Sequence, residues 1–490
     1  MKRNKFLVLL LFTLFLSINN FAGNLKIEKP RLLVLTDIGG DPDDTQALVR
    51  LLAYANEFRI EGLIATPTSF RDKTDPNKFQ VNENLIYDVI NNYALVRDNL
   101  LLNSAGYPTS EELHSKVKCG QMFRSVSNLS PGQTSTGSQQ IIKVVDSSDE
   151  PLCIVIWGGA FDLAQALLNV KTERSAEEVD RFISKLRVFA INDQDITFAP
   201  KGTGEWIYNN FPNLWYIETG PSWMLSTDSS FRGMYQNDSK GGRHPTLPIV
   251  KPGIEKLNNK DWVKSNINNC GALGAGYPSH VYQNPGTARN TQGVKEGDTP
   301  SWFYFLLNGL NDINHPEWGG WGGRYEHLSG KHFTDAQDDH WSGNMDGSLR
   351  HKWTVARWRE AFQNDFAARM QWCILPYGKT NHNPIAIIDE DSTKDVLFKT
   401  VKMGQEIKID AKASFDPDGN KINYKWWIYH EISSTDAIIK KSYGNRIVVK
   451  TSKFSPEGEI HVILEVTDDG IPKLFAYRRI IIKVISESPL

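Results

Sequence analysis

Near-continuous apolar runs alternate with helical patterns over the first half of the chain. The apolar runs are RLLVLTD (31–37), IEGLIAT (60–66), LCIVIWGG (152–159), LRVFAIND (186–193) and NLWYIET (213–219). The segments with apolar residues at helical spacing are 44–58, 82–102, 160–170 and 204–211. Runs of the first kind are typical of strands buried on both faces of a parallel sheet. The alternation therefore predicts an α/β fold in which helices flank a mostly parallel sheet.

The pattern changes twice further along the chain. After about residue 220 come Gly-, Asn- and Trp-rich stretches such as HPEWGGWGGRYEH (315–327), and a helical pattern over 355–374 ends this unit. The segment 375–384 carries two prolines and a glycine, as expected of a linker. Short strand-like runs follow: PIAIIDED (384–391), EIKIDAKAS, INYKWWIYHE, NRIVVKTS, EIHVILEVTDD and RRIIIKVI. We predict an α/β domain over 25–376 and an immunoglobulin-like β-sandwich over 383–490.

The first residues have the three parts of a secretory signal peptide. MKRNK is basic, FLVLLLFTLFLSI (6–18) is apolar, and NNFAGN is small and polar. The apolar part is shorter than the roughly 20 residues that span a bilayer, although an uncleaved anchor is the alternative. We expect a signal peptide at 1–23, no membrane span in the mature chain, and a secreted or periplasmic protein.

Composition and cysteine spacing exclude some functions. The formal net charge is -2, so no basic field favours a nucleic acid or an acidic membrane as partner. The four cysteines are widely spaced and form no C-x-x-C pair, which disfavours a zinc site. They allow three full disulfide pairings, and Cys153, inside an apolar run, is also consistent with a buried thiol.

Four aspartates crowd one predicted strand-to-helix junction. The segment LTDIGGDPDDTQAL (35–48) contains Asp37, Asp41, Asp43 and Asp44. Helix capping would explain one or two of them, but not Asp37, which ends the strand where ligands of parallel sheets bind. Carboxylates this close raise one another's pKa or require a cation. A hard cation with 6–8 oxygen ligands, such as Ca²⁺, fits this residue set.

Other polar residues are expected at the same edge of the sheet. Each has a simpler alternative: Asp298 as a helix cap, Glu205 as a first-turn partner of the helix dipole, and the loop tryptophans as core residues. The candidates for substrate binding are Asp43, Asp193, Asp195, Glu205, Trp321 and Arg324.

The motifs resemble those of nucleoside hydrolases. LTD…PDDTQAL, VIWGGAFDLAQAL and EGDTPS are similar to the three segments that bind calcium in that family. Residues 30–375 resemble more closely a secreted branch described as cellulose-binding protein, with TDIGGDPDD, EGDTPSW and GGWGGRY among its hallmarks. The resemblance implies a nucleoside-hydrolase-like fold with a Rossmann-like sheet. It also implies that Ca²⁺ is bound by Asp37, Asp44, Asp298 and the carbonyl of Phe161, with Asp43 on a sugar hydroxyl.

The resemblance also implies a mechanism, and the chain departs from the family at several points. Asp37 would act as general base on a metal-bound water, which attacks the anomeric carbon. Two extra residues separate Asp37 from the Asp43–Asp44 pair, and ATPTSF stands where the family has an Asn. Gly297, preceded by Glu296, stands where the family often has a His. Asp37 and Glu296 are therefore the candidate catalytic residues.

Three functional hypotheses follow from these observations. The first is a secreted, calcium-dependent hydrolase of N-glycosyl or furanoside bonds, acting on a sugar-containing small molecule or a polysaccharide fragment. The second is a non-catalytic protein that binds a cellulose-like polysaccharide on the same scaffold, which the missing His would favour. The third is a purely structural surface protein.

Overall fold

The computed structural model describes residues 29–486, apart from 198–201, 222–223, 225–227, 236–250, 252, 282–290 and 455. The predicted signal peptide at 1–23 lies outside the described residues. Within the described part, no helix combines the length and the apolarity needed to cross a membrane.

Helices and strands alternate along the first 300 residues, and strands dominate after residue 390. The helices are α1 (Pro42–Ala53), α2 (Glu83–Ala94), α3 (Arg97–Asn103), α4 (Ser110–Lys116), α5 (Thr136–Asp146), α6 (Phe161–Glu173), α7 (Ala176–Ser184), α8 (Thr203–Asn210), α9 (Lys260–Val263), α10 (Gly271–Ala275), α11 (Thr299–Phe303), α12 (Gly347–Ala356) and α13 (Arg359–Trp372). The strands are β1 (Arg31–Thr36), β2 (Arg59–Ala65), β3 (Val117–Cys119), β4 (Leu152–Ile156), β5 (Leu186–Ile191), β6 (Trp215–Thr219), β7 (His280–Val281), β8 (Thr291–Gln292), β9 (Tyr325–Ser329), β10 (His332–Asp335), β11 (Leu397–Lys402), β12 (Glu406–Asp410), β13 (Asn423–Ile428), β14 (Ala437–Ser442), β15 (Arg446–Thr451), β16 (Gly458–Thr467) and β17 (Phe475–Ile485).

An eight-stranded sheet forms the centre of the α/β domain, in the order β3-β2-β1-β4-β5-β6-β10-β9. All neighbouring strands are parallel except the β9–β10 hairpin at one edge. The predicted α/β fold with a mostly parallel sheet is confirmed. The hairpin was not predicted, because its strands follow the Gly- and Trp-rich stretch and carry polar residues such as Glu326 and His327.

Both faces of this sheet are covered, which explains the apolar runs. In β1, Leu32 and Val34 belong to one hydrophobic cluster, whereas Leu33 and Leu35 belong to another. Alternate side chains of a strand point to opposite faces, so every residue of a central strand must be apolar when helices cover both faces. The arrangement brings the carboxyl ends of β1, β4 and β5 to one edge of the sheet.

Two long predicted helices are each interrupted. The pattern over 82–102 forms α2 and α3, with a break at Leu95 and Val96, and the pattern over 355–374 ends α12 and forms α13. At the second break, Trp358 leaves helical geometry and its ring packs 5.9 Å from that of Trp427 in the C-terminal domain. A contact distant in sequence thus overrides a continuous helical pattern.

Two sheets form the C-terminal domain, in the orders β11-β17-β16-β13 and β12-β15-β14. They share one core, which contains Ile409 and Val449 from one sheet and Val462 and Ile480 from the other. The predicted strand at 384–391 is wrong, since these residues form only isolated bridges, while β11 and β14 were not predicted.

The two domains share a buried interface. Arg479 of β17 is fully buried and donates to the carbonyl oxygens of Trp318 and Gly319 at 2.8 and 3.0 Å. Tyr429 follows β13, and its hydroxyl donates to Asp338 at 2.6 Å. Tyr429 also belongs to the main hydrophobic cluster of the α/β domain, so this cluster extends across the interface.

Candidate functional site

Three carboxylates from two distant segments meet at the carboxyl edge of the sheet. Asp43 and Asp44 lie in the first turn of α1, and Asp298 directly precedes α11. One oxygen from each lies within 4.8 Å of the others. Asp44 and Asp298 are buried, whereas Asp43 is partly exposed, so the group opens toward solvent on one side. We call this group the acidic triad.

Helix capping does not explain these aspartates. Asp41 and Asp298 occupy the N-cap positions of α1 and α11, yet neither side chain makes a capping hydrogen bond. The Oδ2 atom of Asp298 is buried and makes no hydrogen bond with the described residues. A buried carboxylate oxygen without a donor is destabilising unless a ligand binds it. Asp298 therefore fits a ligating role better than a capping role.

Asp37 lies beside the acidic triad and is not a member of it. Asp37 follows β1. The backbone of Gly158, just after β4, passes so close that a Cβ added to Gly158 would lie 2.6 Å from the Cγ of Asp37. Its Oδ2 lies 3.6 Å from an Nη of Arg124. Burial raises the pKa of Asp37 to about 6, against the opposing effect of Arg124.

The carboxyl groups of the acidic triad are costly to ionise without a cation. Burial, with the opposing effect of Lys295, raises the pKa of Asp43 to about 7. Burial raises the pKa of Asp44 and of Asp298 well above the ordinary value, and their acidic neighbours add to the increase. An opposite charge among them would favour the ionised forms. This group of carboxylates could therefore hold a cation.

Two side chains partly compensate the negative charge of the α1 aspartates, Lys295 through ion pairs and Thr36 through a hydrogen bond. The ammonium of Lys295 forms an ion pair with Asp41 and lies 3.8 Å from Oδ2 of Asp43. The hydroxyl of Thr36 donates to Oδ1 of Asp44 at 2.5 Å, which orients that carboxylate.

Phe161, whose carbonyl was expected to bind the metal, is the first residue of α6. It follows the turn after β4, which pairs with β1 in the sheet, so Phe161 belongs to the same edge as Asp37. Its side chain is buried and lies 6.3 Å from the ring of Phe123.

Asp193, Asp195 and Glu205 lie next to this edge, and both aspartates have structural partners. Asp195 is fully buried, accepts from Nε of Arg124 at 2.9 Å, and accepts from the hydroxyl of Thr203. Asp193 accepts from the backbone N–H of Glu205 at 2.9 Å, so its carboxylate stabilises the start of α8. The side chain of Glu205 is partly exposed.

Glu296 is held in a buried ion pair. Both of its oxygens accept from Arg50, at 2.5 and 2.9 Å, and they also accept from Tyr277 at 2.6 Å and Thr299 at 2.7 Å. Glu296 and Arg50 are both fully buried. A carboxylate with four donors and no solvent access cannot transfer a proton to a substrate. The position of Glu296 therefore does not support a catalytic role.

Trp321 and Arg324 also lie inside the protein. The ring of Trp321 packs 5.4 Å from that of Phe303, in the main hydrophobic cluster. The guanidinium of Arg324 forms an ion pair with Asp338 at 2.7 Å, in the group that joins the two domains. Core packing, the simpler alternative, therefore describes Trp321 better than sugar stacking.

Comparison with known families identifies the chain. Residues 31–325 match the family described as "Cellulose-binding Sde182, nucleoside hydrolase-like domain". The chain belongs to this family. Residues 406–484 match "Cellulose-binding protein Sde0182, C-terminal domain". The expected membership of a nucleoside-hydrolase-like family is confirmed.

A solved structure supports this Sde182 family assignment over the whole length. It is a nucleoside hydrolase-related hypothetical protein from Saccharophagus degradans, associated with carbohydrate metabolism. It shares 31% sequence identity, with 93% of this chain and 100% of that chain covered, and a TM-score of 0.73. A plant nucleoside hydrolase aligns with 67% of this chain and 99% of its own at 12% identity and a TM-score of 0.30, which adds nothing to the assignment. No curated protein sequence matches the chain.

Three side chains near the acidic triad and Asp37 were not predicted from the sequence. Arg124 bridges Asp37 and Asp195, Lys295 pairs with the α1 acids, and the hydroxyl of Tyr235 lies 2.8 Å from where a Cβ on Gly297 would be. Arg124 and Tyr235 lie in irregular segments with no motif around them. Lys295 could have been found, since it stands three residues before Asp298.

Proposed function

We propose that this protein is an exported, calcium-dependent hydrolase of glycosyl bonds, acting on an N-glycosyl or furanoside-type substrate. The observation that carries the proposal is the acidic triad, in which three carboxylate oxygens from two distant segments lie within 4.8 Å of one another. Membership of a nucleoside-hydrolase-like family supports it. The signal-peptide pattern at the start of the sequence supports export.

The residues present fit a calcium ion. Asp44 and Asp298 would bind it through carboxylates, with Asp37 beside them and the carbonyl of Phe161 as a further ligand. All these donors are oxygens, which hard cations prefer over the nitrogen and sulfur ligands of zinc. The unpartnered Oδ2 of Asp298 points to the same conclusion. Bound calcium would supply positive charge that orients sugar hydroxyls and favours ionisation of water.

The protein's own side chains would carry out the other parts of the reaction, namely proton transfer, sugar binding and stabilisation of the transition state. Asp37, whose carboxylate would lie beside the bound calcium, would accept the proton of the attacking water as general base. Asp43, the exposed member of the acidic triad, accepts a hydrogen bond from a sugar hydroxyl. The negative charge of the cleft stabilises the oxocarbenium-like transition state at the anomeric carbon.

The direct test removes one charge from the acidic triad. We expect Asp44→Asn to lose bound calcium, because the substitution replaces an anionic ligand of a buried site with a neutral amide. Metal content would be measured by mass spectrometry of the untreated protein. Hydrolysis of a panel of nucleosides and aryl furanosides would be measured with and without a chelator, and the variant should lose at least about tenfold in kcat/KM.

A control away from the acidic triad is Asp146→Asn. Asp146 ends α5, its side chain is 46% exposed, and it pairs with Arg174 at 2.7 Å on the surface. This variant should keep both calcium and activity. Wild-type protein that contains no calcium and hydrolyses nothing on the panel would refute the proposal.

A second candidate function is non-catalytic binding of a polysaccharide. The observation that favours it is the burial of Glu296 in its ion pair with Arg50, which leaves no predicted residue to protonate the leaving group. The matched families are described as cellulose-binding. Glycan binding by the wild-type protein without any product from the substrate panel would favour this function over hydrolysis.

A further inference from the structure

The C-terminal domain has a groove that the proposed chemistry does not use. It has a volume of about 860 Å³ and lies on the sheet β12-β15-β14. The contacts with the α/β domain come from the other sheet, through Trp427 of β13 and Arg479 of β17. Because the two sheets form opposite layers of the sandwich, the groove faces away from the α/β domain.

The groove is lined by the outward-facing side chains of its strands. In β12, Ile409 is buried in the core, whereas Lys408 is exposed, as the alternation of a strand requires. The strand register places Lys408 and Lys441 on either side of Val448. The two lysine stems thus flank an apolar strip, and Val448 is only 9% exposed.

The lining alternates acidic and basic groups. Arg446 pairs with Asp410 at 3.0 Å, and both line the groove. Glu406, at the other end of β12, also lines it and pairs with Lys440, which lies outside the lining. Donors and acceptors are therefore available side by side along the groove. Hydroxyl groups both donate and accept hydrogen bonds, so a chain rich in hydroxyls can use every lining group. Neither sign of charge dominates the lining, which has three acidic and four basic residues: Asp389, Glu406, Asp410, Lys408, Lys412, Lys441 and Arg446. The charges therefore give no strong preference for an anionic or a cationic ligand.

An aromatic ring stands at one end of the groove. Tyr443, in the turn between β14 and β15, is 63% exposed. The turn is held from below, because the indole N–H of Trp426 donates to the carbonyl of Gly444 at 2.8 Å. The backbone N–H of Tyr443 donates to the carbonyl of Arg446 at 2.8 Å. An exposed ring on a turn held in this way offers an apolar face against which the flat side of a pyranose can stack.

We propose that this groove binds a neutral glycan chain, with Tyr443 as the stacking platform and the alternating charged side chains as hydrogen-bond partners. The inference deepens the proposed function, since it places polysaccharide recognition on the C-terminal domain and leaves bond cleavage to the acidic triad. The C-terminal domain would hold the full-length protein on insoluble substrate while the cleft remains open to soluble fragments.

The test measures binding of the full-length protein to glycans. Retention on insoluble cellulose and retardation in gels containing hydroxyethylcellulose would be compared with retardation by polygalacturonate, an anionic glycan. We expect the wild-type protein to bind the neutral glycans, and Tyr443→Ala to weaken that binding about tenfold or more, because the stacking contact is lost. Lys408→Ala combined with Lys441→Ala should weaken it as well.

Two control variants separate this groove from other surfaces. Phe454→Ala removes a side chain that is 99% exposed in the same domain but does not line the groove, and it should bind like the wild type. Asp44→Asn should also bind like the wild type, because it alters only the acidic triad. Thermal unfolding of each variant would show that the fold is retained.

Four results would overturn the inference. They are the absence of binding to neutral glycans, a preference for polygalacturonate, undiminished binding by folded Tyr443→Ala, and loss of binding in Asp44→Asn but not in Tyr443→Ala. Hydrolysis of small soluble glycosides, assayed separately, tests the proposed function alone. A failure of hydrolysis with intact groove binding would thus leave this inference standing.

Discussion

Asp298 shows why residue type and position do not by themselves define a role. Its place before a Pro-started helix is typical of an N-cap, yet its side chain makes no capping bond and faces the α1 acids instead. The sequence indicates which residues end strands and begin helices, so the set Asp37, Asp43, Asp44 and Asp298 could be predicted. It does not indicate which of their oxygens already have donors.

The burial of Glu296 and of Asp195 could not be predicted for the same reason. Their cationic partners, Arg50 and Arg124, are 246 and 71 residues away in the chain. No local pattern in the sequence reports such a pairing, because it arises only when the sheet brings distant loops together. A carboxylate near a motif is thus a candidate until the structure shows whether it is already paired.

The raised pKa values at the cleft predict a pH dependence of calcium binding. Folded-state pKa values of about 6 for Asp37 and about 7 for Asp43 exceed the ordinary value of 3.8. The metal-free protein therefore gains stability from these protonated groups at low pH and loses it as pH rises through 6 and 7. Calcium must displace those protons, so its affinity should be about tenfold or more higher at pH 8 than at pH 5.

Differential scanning fluorimetry would measure this effect. The calcium-induced increase in the unfolding temperature should be larger at pH 8 than at pH 5. Comparing loaded with chelated protein at each pH cancels groups outside the site, such as the buried His461, whose pKa burial lowers to about 3. An increase of equal size at both pH values would contradict the proposal that calcium binds next to Asp37 and Asp43.

At the level of elements, the turns that follow β1 and β4 determine whether the cleft forms. The strands could be predicted because burial on both faces imposes an apolar run, as in β4. The hairpin β9–β10 and strand β14 could not, since β9 and β14 are edge strands with exposed polar residues. The close approach of Gly158 to Asp37 is equally invisible in the sequence, which shows only a pair of glycines.

This approach makes Gly158 a sensitive position. A Cβ on Gly158 would lie 2.6 Å from Cγ of Asp37, so Gly158→Ala should displace that carboxylate. We expect about tenfold weaker calcium binding, measured by isothermal titration, with the α/β fold retained in circular dichroism. Gly378→Ala is the matched control, since an added Cβ there meets no atom within 4 Å. Equal affinity in the two variants would show that Asp37 is not held by this turn.

For the whole molecule, Asp338 joins the two domains. It is fully buried and accepts from Arg324 and Arg357 at 2.7 Å each and from Tyr429 of the C-terminal domain at 2.6 Å. Burial acts to raise the pKa of Asp338, but the two guanidinium groups outweigh it and hold that pKa below its ordinary value. The sequence predicted two domains and a linker, but not that the domains would share buried charges.

Removing this carboxylate should destabilise the entire chain. Asp338→Ala leaves the buried guanidinium of Arg324 without its anion and removes one of the two anions that pair with Arg357, so the free energy of unfolding should fall by about 3–5 kcal/mol. Its neighbour Asp339, whose side chain is 73% exposed, pairs only with Arg350 at the surface, and Asp339→Ala should cost less than about 1 kcal/mol. Urea denaturation would measure both values, and comparable losses would contradict the interface role of Asp338.

The hydrophobic cluster that crosses the domain interface has an evolutionary consequence. A carbohydrate-recognition module attached by a flexible tether can be exchanged between genes, because neither partner needs the other to fold. Here Tyr429 is packed inside the neighbouring domain, and Arg479 of the last strand is bound to carbonyl groups 160 and 161 residues earlier in the chain. A recombination event that separated the two domains would expose the hydrophobic interface surface of each. Selection should therefore keep the two domains together in one gene.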